Sequence, residues 1–151
     1  MNGIERFNIR VYGILMNEKK EVLLAHERMG EYRFTKFPGG GLEYGEGIKD
    51  CVIREFREEA GIEIYEASHF YTTDFFQQSA FRKSDQIISV YYKVKSKSDL
   101  SEIRLDEFEL KGNKRTEIIQ FKWVAVNRLD ESHLSLPIDK VVCKMLQGEL
   151  T

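Results

Sequence analysis

The chain has 151 residues, with 25 acidic and 23 basic side chains and a net charge of −2. A length of this order suits one domain that buries roughly 70% of its unfolded surface, and the near-balance of charge argues against a general binder of nucleic-acid duplexes or membrane surfaces. Cys51 and Cys143 form no CxxC pair, Met1 to Arg6 has no apolar signal core, and no apolar run is long enough to cross a bilayer, so a single cytoplasmic domain over residues 1–151 is expected.

Phe7, Ile9, Val11 and Leu15 alternate with Asn8, Arg10 and Tyr12, the pattern of a strand. A polar turn, Asn17-Glu18-Lys19-Lys20, leads into a second strand over Val22–Glu27. Phe37-Pro38-Gly39-Gly40-Gly41 interrupts regular structure, because glycine permits backbone angles closed to other residues. A helix is predicted from Gly47 to Ala60, with Gly61 placed to end it in a left-handed cap. Ile62–Phe76 reads as extended chain, and Ile88, Val90, Tyr92 and Val94 share one face of a strand over Gln86–Val94. Lys95–Glu117 is charge-dense and is expected to be a mobile loop with a short strand near Ile103–Leu110. Ile119, Phe121, Trp123 and Ala125 alternate again. Pro137 opens a last helix, where its missing N–H costs little, and Ile138, Val141, Val142, Met145 and Leu146 form its apolar stripe. Interspersed strands and helices predict a mixed sheet covered by helices.

The chemistry is concentrated in Arg54-Glu55-Phe56-Arg57-Glu58-Glu59. On a regular helix, with Glu46 as origin, Glu58 falls near ~120°, Glu55 near ~180° and Glu59 near ~220°. Val52, Phe56 and Ala60 take the adjoining arc, so the acidic cluster borders the buried stripe. Like charges one turn apart destabilise a helix, and partial burial adds a desolvation cost for each unpaired carboxylate. A hard divalent cation with oxygen ligands would reverse that balance. The competing reading is a solvated acidic face paired with Arg54 and Arg57, and for an isolated Glu-Glu pair it would be preferred. The preceding glycines favour the cation, since they admit a ligand close to the backbone and offer a carbonyl to its shell.

The spacing Gly40, five residues, Glu46, seven residues, Arg54-Glu55-Phe56, one residue, Glu58-Glu59, one residue, Gly61-Ile62 resembles the complete Nudix box. Every charged and glycine position matches; Phe56 stands where the pattern has a bulky aliphatic residue. The resemblance implies a three-layer α/β/α sandwich with a mixed sheet, and metal-dependent hydrolysis, with Mg²⁺ or Mn²⁺, of a nucleoside diphosphate linked to another group. It implies Glu55 and Glu59 as the main metal ligands, Glu58 as a further ligand or the base for the attacking water, and a carbonyl of Gly39 or Gly40 in the shell. Arg54 would pair with Glu46 and brace the loop against the helix. The expected partner is a nucleotide-like small molecule, and homodimers occur among such proteins.

Outside the box, Glu117 is an expected additional ligand or base, with Glu107 and Glu109 as competitors, and Arg28, Arg10 and Tyr12 are candidates for contacting substrate. His26, His69 and His133 make no metal constellation, and Cys51 reads as a packed thiol. Phe70-Tyr71 and Phe75-Phe76 offer rings for sheet packing or for stacking a base. Gln78 stands where ADP-ribose hydrolases have proline, Phe81 where dinucleoside polyphosphate hydrolases have tyrosine, and the coenzyme A motif is absent. A nucleoside triphosphate pyrophosphohydrolase is left as the expectation. ADP-ribose, nucleotide sugars, dinucleoside polyphosphates or a non-catalytic nucleotide-binding role are the alternatives.

Overall fold

A computed structural model describes residues 3–111 and 116–149. Strands β1 (Arg6–Leu15), β2 (Glu21–Met29), β3 (Tyr32–Lys36) and β4 (Gly39–Gly41) come first. Helix α1 (Ile48–Glu55) follows and runs directly into a π turn over Phe56–Ala60. Then come β5 (Ile64–Thr72), β6 (Asp85–Ser96), β7 (Phe108–Lys111), β8 (Thr116–Ala125) and helix α2 (Pro137–Glu149).

The strands form two four-stranded sheets, ordered β4-β1-β6-β5 and β3-β2-β8-β7. In the first, β1 runs parallel to β6 while β4 and β5 are antiparallel to their neighbours, so this sheet is mixed; the second is antiparallel throughout. Alternation along β1 and β2 divides their side chains between two cores. Val11, Leu15, Leu23 and Ala25 join Cys51, Val52 and Phe56 beneath α1. Tyr12, Ile14, Val22 and Leu24 join Ile138, Val142, Cys143 and Leu146 beneath α2. Helices thus cover both faces of the strand layer, the α/β/α arrangement.

Several expectations change in detail. The Gly-rich segment is not merely a break: residues 39–41 form β4, paired with Tyr12, Val11 and Arg10. Strand β3 arises because the turn at Gly30 (φ 56°) folds Tyr32–Lys36 back on β2. Ile103 is no strand residue; it follows a 3₁₀ turn and is buried in the α1 core, and the short strand begins only at Phe108. The remainder of that loop, residues 112–115, lies outside the described residues. On α2 the buried face is Ile138, Asp139, Val142, Cys143 and Leu146, whereas Met145 is exposed. The helix is therefore rotated by about one residue from the apolar stripe, which draws a carboxyl and a thiol inward. Among the described residues no helix is long and apolar enough to cross a membrane.

Candidate active site

Three structural features place the acidic residues. The first is the helix end. Gly61 adopts φ 69°, and its N–H bonds to the Phe56 carbonyl, closing the wide π turn. Such turns within α-helices are frequent at functional sites. The regular wheel therefore holds only as far as Glu55. Beyond it, Glu58 turns outward with 54% of its side chain exposed, while Glu59 is drawn inward.

The second is β4. Bonds from Gly13 N–H to Pro38 O and from Leu42 N–H to Ile9 O flank the pair Val11–Gly40. That spacing makes Val11 and Gly40 a hydrogen-bonded pair, so the Gly40 carbonyl is directed at Val11. Gly40 therefore enters the site through its missing side chain rather than as the carbonyl ligand expected of it. A Cβ there would lie 2.6 Å from Glu55 Cδ. Gly39 is constrained more severely: with φ 150°, a Cβ would come within 2.7 Å of Tyr12 Cα.

The third is Arg54. It grips Glu46 through two parallel bonds, Nε to Oε2 at 2.9 Å and Nη2 to Oε1 at 2.8 Å, and Nη2 also reaches the Gly41 carbonyl at 3.1 Å. The Arg54 fork holds the Glu46 carboxyl down to about 2. Its Nη1 lies 3.1 Å from Glu55 and 3.2 Å from Glu58, so one guanidinium ties the loop to two acidic side chains. The expected Arg54–Glu46 brace is present in the geometry. Among the described residues, no three histidine, cysteine or carboxylate side chains are already arranged to hold a metal ion.

Glu55 is buried and shares a hydrogen bond with Glu59. Burial pushes the Glu59 carboxyl well above the usual carboxylate range; Lys36 opposes this, and the charges of Glu27 and Glu55 and a hydrogen bond shared with Glu55 reinforce it. Glu59 Oε2 is buried with no partner. Two carboxylates crowded in this way favour a proton or cation between them. Oxygen-rich and anionic, with Glu59 Oε2 left unpartnered although Arg54 reaches Glu55, the pair fits a hard divalent ion, with Glu58 and Glu117 on the same cavity wall. Glu117 is half-buried; burial, then the charge of Glu27, raises its carboxyl. Neither Glu107 nor Glu109 lines the cavity.

That cavity has a volume of about 650 Å³, within the usual range for small-molecule sites. Its floor is one face of β1 and β6, and Arg10 and Tyr12 line it. The Arg10 side chain donates Nε to Tyr12 Oη at 3.3 Å and lines the cavity with its guanidinium. Arg28 is corrected: Glu27 and Met29 line the cavity, and strand alternation turns Arg28 to the other face of β2. Phe75 and Phe76 are exposed and lie outside the cavity. Its aromatic wall is instead Phe34 and Phe81, whose ring centroids are 5.2 Å apart. Gln78, noted above for its position relative to the box, lines it as well. Burial, then Glu46, pushes the Cys51 thiol up to about 12, in keeping with a packed thiol.

Sequence reasoning missed the ion pair inside the site. Lys36 Nζ lies 2.7 Å from Glu27 Oε2, and both side chains are almost fully buried. The contact lacks the direction of a hydrogen bond; the ammonium donates instead to the Gly39 carbonyl at 3.0 Å. Burial alone would lower the Lys36 ammonium, but Glu27 and Glu59 outweigh it and hold the group charged. A signal existed: Lys36 directly precedes Phe37-Pro38-Gly39, and alternation in a hairpin through Gly30 would have put Glu27 and Lys36 on one face.

A family model described as NUDIX domain matches residues 6–144. Nudix hydrolase 6 of Arabidopsis thaliana is 33% identical over 131 residues, covering 83% of this chain and 41% of that protein. The 8-oxo-dGTP diphosphatase of Escherichia coli (strain K12) is 30% identical over 82 residues, covering 53% of this chain and 59% of that protein. The alignments thus span less than two thirds of the length of these relatives. The crystal structure of a MutT NUDIX hydrolase from Burkholderia pseudomallei superposes with a TM-score of 0.69 at 18% identity, covering 93% of this chain and 98% of that one, which establishes the shared fold.

Proposed function

This chain belongs to the Nudix family, and from that premise we propose that it is a divalent-metal-dependent hydrolase that splits a nucleoside triphosphate into nucleoside monophosphate and pyrophosphate. The observation that carries this reading is the Glu55–Glu59 pair: Glu59 Oε2 is buried without a partner, and the Glu55 carboxylate lies against the bare Cα of Gly40. It lies in a cavity whose opposite parts carry cationic and aromatic side chains.

In this reading Glu55 and Glu59 hold Mg²⁺ or Mn²⁺, with Glu117 nearby. The ion, when bound, supplies charge neutralisation for the phosphates and acidifies water. Glu58, the most exposed of the four box carboxylates, accepts the proton of the attacking water while Arg54 fixes its position. The Nη groups of Arg10 bind the departing phosphate oxygens. The base lies against Phe34, Phe81 and Ile87, with the Gln77 and Ser89 side chains at its edge. The similarity to a protein named 8-oxo-dGTP diphosphatase supports a nucleoside triphosphate.

The test is chromatographic detection of the nucleoside monophosphate and of its co-product, pyrophosphate or phosphorylated group, from a panel of (d)NTPs, oxidised dNTPs, ADP-ribose, nucleotide sugars and dinucleoside polyphosphates, with Mg²⁺ and with chelator, for the parent, Glu58→Gln and Glu59→Gln. Turnover should require the metal, favour a triphosphate, and fall at least ~100-fold in each folded variant. Near-parental kcat in both variants sinks the assignment, and preference for another group in the panel replaces the substrate class.

A further inference from the structure

Lys36 stands where the family resemblance offers a backbone carbonyl to the metal. The Gly40 carbonyl is directed at Val11 in the ladder, and that of Gly41 receives Arg54 Nη2. The Gly39 carbonyl is bonded at 3.0 Å by the Lys36 ammonium. The same ammonium sits 2.7 Å from Glu27 and 5.3 Å from the centre of the Tyr12 ring, on a side chain 3% exposed. It is thus anchored by an anion, a carbonyl and an aromatic face, with little freedom to withdraw toward solvent. Two positive charges cannot share one carbonyl oxygen in a dry site without strong repulsion.

We propose that Lys36 is a resident cation of the acidic cluster: it holds the Gly39 carbonyl and Glu27 for itself, so that divalent metal is bound by the helix carboxylates alone and more weakly than an unoccupied carbonyl would allow. This deepens the metal-dependent reading above and rests on it. Lys36 is then a positioning residue that sets metal affinity. Glu27, though beside the cluster, serves as its counter-ion rather than as a ligand.

Mn²⁺ binding, followed through the electron paramagnetic resonance signal of the free ion, tests this without turnover. The parent protein, Lys36→Arg, Lys36→Met, Glu27→Gln and the double variant Glu27→Gln/Lys36→Met are titrated after circular dichroism shows each to be folded. Lys36→Met leaves Glu27 uncompensated, whereas the double variant replaces the pair with neutral side chains of similar size and keeps the test open if the single variant fails to fold. The expected result is Mn²⁺ affinity raised about 10- to 100-fold, or one added equivalent, in both Lys36→Met proteins, with Lys36→Arg and Glu27→Gln near the parent. Parental isotherms in folded Lys36→Met and in the double variant overturn the inference while leaving metal dependence intact. A parent that takes up no Mn²⁺ overturns both.

Discussion

The ring of Phe56 rests on the bare Cα of Gly13: a Cβ at Gly13 would fall 2.8 Å from Phe56 Cζ and 3.1 Å from Val52 Cγ2. Phe56 is the one box position that departs from an aliphatic residue, and the strand beneath it accommodates the extra bulk by having no side chain. The pair is therefore a matched size exchange between helix and sheet.

That match predicts non-additive stability. Gly13→Ala should destabilise the fold by about 1–3 kcal/mol through overpacking, and Phe56→Leu alone should cost about 1 kcal/mol or more through a cavity. The double variant should be more stable than the sum of the two losses. Urea unfolding of all four proteins measures the coupling, and strictly additive losses would contradict the contact.

Arg54 acts through the shape of its fork as well as its charge. Arg54→Lys keeps the charge but cannot make both bonds to Glu46 while also reaching Gly41, Glu55 and Glu58. Its kcat should fall about 100-fold with the melting temperature little changed, since misplacement of reacting groups is sufficient for a loss of that size. Comparable kcat in Arg54→Lys and the parent would show that charge alone is needed.

Asp139, on α2, gives a pH signature and lies within reach of the charges of Lys36 and Glu27. It is fully buried, accepts a hydrogen bond from the Tyr91 hydroxyl, and leaves Oδ2 unpartnered. Burial pushes its carboxyl from an ordinary 3.8 up to about 7. Between those values the folded chain holds a proton that the unfolded chain has released, so stability falls as pH rises through that window and levels off above it. Asp139→Asn removes the penalty. Its stability advantage should be small near pH 4 and grow to a few kcal/mol by about pH 8. Parallel denaturation midpoints for the two proteins across this range would refute the buried charge.

Arg10 and Arg28 make a contrasting pair, one lining the cavity and the other facing away from it. Arg10→Met should raise KM for the preferred nucleotide about 10- to 100-fold, the loss of one or two charge-assisted bonds. Arg28→Met should leave KM and kcat unchanged. Equal effects from the two substitutions would mean that the cavity is not where substrate binds.

The acidic helix could be read from the chain because its information is local. Gly40, Glu46, Arg54, Glu55, Glu58, Glu59 and Gly61 lie close together in sequence; helical spacing orders Arg54 and Glu55 on α1, whereas the π turn after Glu55, which a regular wheel does not contain, sets where Glu58 and Glu59 point. The glycine cap at Gly61 and the strand pattern of β1, β6 and β8 followed from the same short-range periodicity. What periodicity leaves open is which strand pairs with which and which face turns inward. Arg28 and Glu27 are adjacent in sequence, yet only Glu27 faces the cavity, and that choice is made by β2 pairing with β3 and β8. The Lys36–Glu27 ion pair, the Phe34–Phe81 wall, the Tyr91–Asp139 bond and the packing of Phe56 on Gly13 all join separate segments. Of these only the Lys36–Glu27 pair had a local signal, in the hairpin through Gly30; tertiary structure decided the others, because each exists only where packing of sheets and helices brings together residues distant in sequence.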